Sequence, residues 1–588
     1  MSAGAQSIRY VKAGGSGDGS SWVNASGDLQ AMIDDANVEQ VWVAAGTYKP
    51  TVGTDRSISF HLKNGVTIYG GFPASGNPAL SERRPDSYTT TLSGDIGTVG
   101  INTDNTNHVI YNPASLSLTN TAVLDGFFVS EGNTNRVNNY YGSGLYNNGS
   151  NGSICSPTIR NCTFMNNIGG GVYNNAMNGG TSNPAMTNCN FIGNSSEHAY
   201  GGLYNVSSNP ILTNCNFIEN FGKSGGGGIY NLSSNPLLIN CNFIGNICSF
   251  LGSGSGGGIN NEQSSPLLIN CSFLNNTATI NGGAIYNIGT SHPTIINCSF
   301  EGNHASLGNG GAVYNEYGGS PQFINCSFIN SMTGGMGRVM YTQNGNAQLT
   351  NCILWNNGSS NTFAGQSPTV SYSLLEPGVS NYIDGAHNLT TSTSPFVSDT
   401  DLRLKIGSPA VNKGNNLAYT TANGPANDLA GMLRLQGGTV DMGAYELSSD
   451  LTPILYARLS SLSNTRIVSV VVDVFELNSV STSGPVTIRI NKDPKINLAL
   501  DTGLSLVGGK PVQNSAWTLD NSDPDYYVLN TNQLIAGGEQ LSVGLSGQMN
   551  AGSTSGVLSI SGIVLVGSDQ EVLLTNNVDA DKIDYFQQ

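Results

Sequence analysis

Between residues 142 and 357 the apolar positions follow one plan, repeated coil after coil. An aliphatic side chain or Phe stands at Ile159, Met186, Leu212, Leu238, Leu268, Ile295, Phe323 and Leu349. Three residues later comes a cysteine, at Cys162, Cys189, Cys215, Cys241, Cys271, Cys298, Cys326 and Cys352. Two residues after each of these stands Phe164, Phe191, Phe217, Phe243, Phe273, Phe300, Phe328 and finally Leu354. The cysteines are 27, 26, 26, 30, 27, 28 and 26 residues apart, and self-similarity at a fixed period marks a solenoid. A strand alternates faces with period two, so one straight strand cannot point all three positions inward. Each cysteine follows an asparagine, at Asn161, Asn188, Asn214, Asn240, Asn270, Asn297, Asn325 and Asn351. Asparagine tolerates left-handed backbone, so a corner there joins two strands and turns all three positions inward. Stacked coil on coil, these amides can hydrogen-bond to one another. A second series, Asn167, Asn194, Asn220, Asn246, Asn276 and Asn303, marks the next corner, and Ser331 breaks it. A Gly-rich element then gives a third strand with Val172, Leu203, Ile229, Ile259, Ile285 and Val313 inward. Three short strands per ~27-residue coil predict an all-β, right-handed parallel β-helix.

The flanks depart from this plan. Residues 1–125 read as an N-terminal cap and first irregular coils. Ser26 is placed to cap a helix whose Leu29, Met32, Ile33 and Ala36 share one face, and solenoids need such caps. Residues 126–357 are the regular repeats, and 358–449 the last coils and exit cap. Residues 450–588 carry strand-like runs such as Ile467–Phe475, Val486–Ile490, Leu541–Leu545, Val557–Ile560 and Ile583–Phe586, with turn signals such as Ser483-Gly-Pro485. Seven or eight short strands in that length predict an immunoglobulin-like β-sandwich.

Composition narrows the function. The 588 residues include 76 glycines, only 10% are charged, and 38% are apolar, which suits stacked strands and not disorder. A net charge of −16 argues against nucleic acid as a partner and disfavours anionic membranes and polyanionic substrates. No stretch reads as a transmembrane helix. The opening Met1–Gln6 lacks a basic region followed by an apolar run, so a signal peptide is not expected within this chain. The architecture nevertheless favours an extracellular protein.

Ten cysteines would ordinarily suggest disulfides. Eight of them occupy one position per coil, ~4.8 Å apart along a parallel ladder, slightly beyond disulfide reach. They read as a ladder of buried thiols, with Cys155 and Cys248 off register and their pairing open. No metal site or cofactor is expected, because Cys-x-x-Cys and paired-His spacings are missing. His61, His108, His198, His292, His304 and His387 are scattered. The Gly runs 225–228 and 256–258 lack the Lys-Ser/Thr of a phosphate loop.

Carboxylates bear on catalysis. Between Asp125 and Asp384 there is no Asp, and the regular coils hold only Glu197, Glu219, Glu262, Glu301 and Glu316, read as non-equivalent positions. Glycoside hydrolysis needs a convergent pair, so no enzyme activity is expected from these coils. A site in the caps stays open. There Asp428, Arg434, Asp441 and Glu446 read as a structural salt-bridge cluster, with a catalytic or Ca²⁺ site as the alternative.

The Phe164-Met-Asn-Asn167 copies, with Gly283-Ala-Ile285 and Gly311-Ala-Val313, resemble the FxxN and GGA[I/L/V] repeats of polymorphic outer-membrane proteins, bacterial surface adhesins of the pectate-lyase-like superfold. Ser408–Gly414, Asp428–Arg434 and Val440–Glu446 resemble the "choice-of-anchor Q" segment of bacterial surface β-helix proteins. The resemblance implies a surface-displayed adhesin or structural rod. Alternatives are a polysaccharide lyase or hydrolase of the superfold, and a filament or surface-layer subunit self-associating through the C-terminal domain.

Recognition must come from what the rod carries outward. Tyr146, Tyr173, Tyr204, Tyr230, Tyr286, Tyr314 and Tyr341 each follow an inward aliphatic, so alternation points them out, and Asn260 interrupts their column. Rings ~4.8 Å apart could stack on a glycan, or on one another beneath loops. A second outward column, from Thr163 through Asn190, Asn216, Asn242, Ser272 and Ser299 to Ser327, is short and polar and lacks the uniform Thr array of an ice binder.

Overall fold

A computed structural model describes the chain except for residues 1–6, 135–140, 198–199, 251, 436–437, 461–465, 479, 483, 551, 566–567, 569–574 and 586–588. His198, Ser483, Phe586 and the opening Met1–Gln6 therefore lie outside the described residues. The chain forms two compact units: Met1–Thr393 with Leu417–Gly424, and Ser394–Asn416 with Pro425–Gln588.

The first unit is a parallel β-solenoid. Three long sheets of 14, 13 and 10 strands run its length. The first contains Thr158–Arg160 and its copies, the second Thr163–Met165 and its copies, and the third Val172–Asn175 and its copies. A fourth sheet of six two-residue strands, Ser195–Ser196 to Met332–Thr333, adds to the three expected strands per coil. Its inward side chains are small: Ser196, Cys248, Ala278 and Ala305 are all buried. The first coils are capped by the helix Leu29–Asp34, which buries Leu29 and Ile33. Its N-cap is Asp28 and not Ser26, because the Asp28 carboxylate accepts from the Ala31 amide at 3.0 Å. Ser26 instead accepts from the Asp28 amide at 3.1 Å. Ala36 falls beyond the helix.

The inward positions pack as the alternation predicts. The first-sheet aliphatics, the cysteines, the second-sheet phenylalanines and the third-sheet aliphatics form one continuous core. From Phe191 to Phe300 the rings stack 4.4–4.9 Å apart with interplanar angles of 2–5°. All ten cysteines are free and buried. Cys248 belongs to the fourth sheet, whereas Cys155 lies beside Asn147 of the third, so the two off-register thiols sit in separate columns. Burial pushes the Cys155, Cys162 and Cys248 thiols up to about 12, which keeps them protonated and inert.

Asparagine does three different jobs. The residue before each ladder cysteine adopts φ of +52° to +57° in all eight coils, the expected left-handed corner. Its amides bond coil to coil at 3.1 Å from Asn161 to Asn240, and Asn351 bonds Asn325 at 2.9 Å. Asn297 donates instead to the Tyr419 hydroxyl, 3.0 Å away, where the short helix Asn416–Thr421 lies against the coils. We expect Asn214→Ala to cost about 1–2 kcal/mol, the price of left-handed backbone for a residue with a Cβ. Asn214→Gly should recover most of that loss in chemical denaturation; equal losses for both variants would refute the corner argument.

The second asparagine series does not itself turn the chain. The left-handed residue is the one before it, Asn166, Gly193, Glu219, Gly245, Asn275 or Gly302, with φ of +52° to +61°. The turn made there aims Asn167, Asn194, Asn220, Asn246, Asn276 and Asn303 inward. Their amides form a fully buried ladder at 2.9–3.0 Å. From Asn194 on, each also donates to the carbonyl of a stacked phenylalanine of the preceding coil, at 2.8–2.9 Å. A third ladder runs through Asn112, Asn147, Asn174, Asn205, Asn231, Asn261, Asn287 and Asn315 to Thr342, at 2.8–3.1 Å. Buried amides are tolerable only when bonded, and a ladder bonds every one.

The second unit contains two antiparallel sheets packed face to face, as the strand count predicts. One is ordered Leu451–Ser460, Ile467–Glu476, Gln540–Met549, Ile496–Leu500. The other is ordered Thr518–Asp520, Tyr526–Thr531, Val486–Asn491, Gly556–Val564, Val578–Tyr585. Val468, Val470 and Val472 of the first meet Ile488, Leu529 and Ile560 of the second in one core, together with Trp517.

Candidate functional site

The tyrosines lie side by side in the third sheet, pointing away from the solenoid core as alternation requires. The register pairs Tyr146 with Tyr173, Tyr173 with Tyr204, Tyr204 with Tyr230, Tyr286 with Tyr314 and Tyr314 with Tyr341. Their ring centroids stand 4.8–5.5 Å apart. Pointing outward has not left them open. Tyr146, Tyr173, Tyr204, Tyr230, Tyr286 and Tyr314 are all at most 9% exposed, and only Tyr341 is half-buried. Tyr141 and Tyr200 close over the upstream rings, with Tyr200 stacked on Tyr230 at 3.9 Å. Ring faces packed against other rings offer no continuous platform to a glycan. The roof is built from residues outside the repeat, which the alternation does not reach.

The column opens at one place. Asn260 pairs with Tyr230 on one side and Tyr286 on the other, so one ring of the stack is missing. Two ladder steps separate the flanking tyrosines, ~9.6 Å, which leaves a slot one ring thick. A cleft of about 350 Å³ fills this gap, lined by Tyr230, Asn260, Glu262, Tyr286, Ile288 and Glu316, with Ser253, Ser255 and Asn281 at its edges. That volume is at the small end of the ~300–1,000 Å³ typical of small-molecule sites.

Its polar groups converge. The Tyr230 hydroxyl donates to Glu262 and the Tyr286 hydroxyl donates to Glu316. Burial, reinforced by the neighbouring carboxylates, pushes both phenols up, so they remain donors across the physiological range. Burial also pushes Tyr200 up to about 12. Asn260 is 5% exposed, and its Nδ2 donates to the Ser255 carbonyl at 3.4 Å. Its Oδ1 is buried without a partner. A buried amide oxygen left unbonded costs about 1–3 kcal/mol, so a ligand donor there would be favourable.

Glu262 and Glu316 correct the expectation about carboxylates. Glu262 pairs with Ile288, and the Glu316 amide donates to the Asn287 carbonyl, which puts Glu316 in the same row two coils on. They are equivalent positions, ~9.6 Å apart along the ladder. The signal was present: both stand three residues after the inward aliphatic, at Ile259 and Val313. Unequal loop lengths hid it from spacing measured against the cysteines.

The acidic cluster of the exit segment is a structural knot. Asp428, Arg434, Asp441 and Glu446 are all at most 5% exposed. Arg434 stands 3.3 Å from Glu446 and donates to the Asp441 and Gly443 carbonyls. Backbone amides of Ala430, Met432 and Glu446 hold Asp428, and those of Asn412 and Leu447 hold Asp441. Among the described residues, no three His, Cys, Asp or Glu side chains are grouped so as to hold a metal ion.

No known family matches the sequence, and no curated protein does. Among solved structures, the chain is similar to pectate lyase Pel9A, at 15% identity and a TM-score of 0.40, over 75% of this chain and 96% of that one. It is also similar to a double mutant of the tailspike protein of E. coli bacteriophage HK620, at 14% identity and a TM-score of 0.25, over 89% of each chain. A third likeness is to the enzymatically active domain of tailspike protein 4 of bacteriophage CBA120, at 10% identity and a TM-score of 0.21, over 90% of this chain and 65% of that one.

Proposed function

We propose that this chain is an extracellular β-helical rod of a bacterial cell surface that binds saccharide in the cleft between Tyr230 and Tyr286. The C-terminal sandwich then serves attachment, as the surface-protein resemblance implies, or self-association. One observation carries the reading: the ring missing at Asn260 opens a slot with aromatic walls and polar groups, the composition that holds a sugar by stacking and hydrogen bonds. The tyrosines on either side are closed by their own stacking, which confines recognition to this slot and the loops around it.

Asn260→Tyr tests the reading, because it restores a residue that nearly every other coil carries and so should fold. We expect it to weaken binding at least ~10-fold in titration calorimetry against an oligosaccharide panel, where ~10-fold is about 1.4 kcal/mol. Unchanged affinity would move the site elsewhere.

The equivalent carboxylates support a second reading, hydrolysis. Their rows stand ~9.6 Å apart along the ladder, just beyond the ~6.5–9.5 Å between the carboxyl groups of inverting glycosidases, a gap that the flexible glutamate side chains can close. Release of reducing ends that is lost in Glu262→Gln and in Glu316→Gln would select it over binding alone.

A further inference from the structure

The Tyr230–Tyr286 slot has a charge pattern that narrows its ligand, and we infer that it takes one amino-sugar ring whose protonated amine pairs with Glu262, with Glu316 adding to the negative field. This rests on the saccharide reading and deepens it. Among the described residues lining the cleft, these two glutamates are the only acidic or basic side chains. Both are half-buried, and neither takes part in an ion pair among the described residues. The nearest cation before Glu262 in sequence, Lys223, is turned over the Phe250 ring at 5.6 Å. Glu262 belongs to the coil of Asn260, at the level of the slot, so an ammonium there pairs with Glu262, while Glu316, ~9.6 Å further along the ladder, adds to the negative field. The net charge of −16 acts in the same direction at longer range. A uronate or sulfated sugar would bring a third negative charge into the cleft.

Thickness selects the ring. The slot admits one layer between two aromatic walls, which suits the flat C–H face of a pyranose. Asn260 is the second, independent element. Its buried Oδ1 has no partner, and Asn260 lines the same cleft, where a sugar hydroxyl or the amine would supply the missing donor. A carboxylate pair alone would read only charge; the amide and the ring walls add shape and hydrogen bonding.

The experiment is calorimetric titration of the full chain with β-1,4-linked glucosamine tetramer, its fully N-acetylated counterpart, tetragalacturonate and spermidine, all below the pKa of the sugar amine. We expect the glucosamine tetramer to bind at least ~10-fold more tightly than the acetylated one, and tetragalacturonate not to bind. Glu262→Gln should weaken the glucosamine tetramer about 10-fold and Glu316→Gln by less, while each changes the acetylated tetramer less than about 2-fold. Equal or tighter binding of the acetylated form overturns the amino-sugar assignment and leaves saccharide binding standing. Spermidine binding as tightly as the tetramer overturns the ring assignment, since charge alone would then suffice. If none of the three saccharides binds, both readings fail. Thermal unfolding of each variant, expected within a few degrees of the parent, keeps a folding defect from passing as lost affinity.

Discussion

Phe243→Ala is expected to destabilise the β-helix by about 3–5 kcal/mol, the range for deleting a fully buried aromatic side chain. Phe243 has no exposed surface and stacks on Phe217 at 4.9 Å and on Phe273 at 4.7 Å. Part of the loss is transfer free energy, and part is the cavity left where the neighbouring rings cannot close in. Both are held by their own strands in register with Phe243, so the gap cannot collapse along the rod axis. Polar groups stand close by: Asn276 donates to the Phe243 carbonyl at 2.9 Å, so a backbone shift that filled the cavity would pull on the buried amide ladder. Phe243→Leu, which keeps most of the volume, should cost well under half as much. Chemical denaturation with a probe on the β-helix decides; a loss below about 1.5 kcal/mol for the alanine variant would mean that the stack repacks.

The repeats themselves explain why the solenoid was readable and the site was not. Cys215, Phe217 and Ile229 are dictated by the same inward geometry in every coil, so each copy restates the constraint and period and face emerge together. The corner asparagines were legible for the same reason, because left-handed backbone favours one residue type. The second corner falls one residue before the expected one: Asn166-Asn167 and Asn275-Asn276 pair identical residues, although Gly193, Gly245 and Gly302 carry a left-handed signal of their own. The third ladder stood in the Gly-Ile-Tyr-Asn motif, where the outward tyrosine drew attention from the inward asparagine after it. The cleft depends on departures from the repeat: Asn260 where tyrosine is the rule, and a 30-residue spacing instead of 26 to 28. Periodicity reports what is common to the coils, and recognition uses what differs between them.

Arg434→Met is expected to destabilise the second unit by about 3–5 kcal/mol at neutral pH, because it removes the cation of a knot that buries three carboxylates. Methionine fills much of the volume, so the loss is electrostatic more than steric. Burial, opposed by amide donors and by Arg434, pushes the Asp441 carboxyl up to about 6. Burial and the Asp441 charge raise Glu446, and burial raises Asp428. In the unfolded chain these groups ionise near 4. Between about 4 and about 6 the folded protein therefore holds more protons at Asp441 than the unfolded one, so this group favours folding at lower pH and loses that contribution as pH rises through the window. Without Arg434 the carboxyls rise further and the window widens upward. The penalty of Arg434→Met should accordingly shrink on acidification from pH 7 to pH 5, as protonation replaces the missing cation. Asp441→Asn does not mimic that protonation, since both Asp441 oxygens accept from backbone amides, at 2.6 and 2.7 Å, and an asparagine offers one acceptor for two donors. Calorimetric melting of the parent and Arg434→Met at the two pH values is the check. A difference that stays constant between them would show that Arg434 stabilises the knot through packing and its bonds to the Asp441 and Gly443 carbonyls, not through charge.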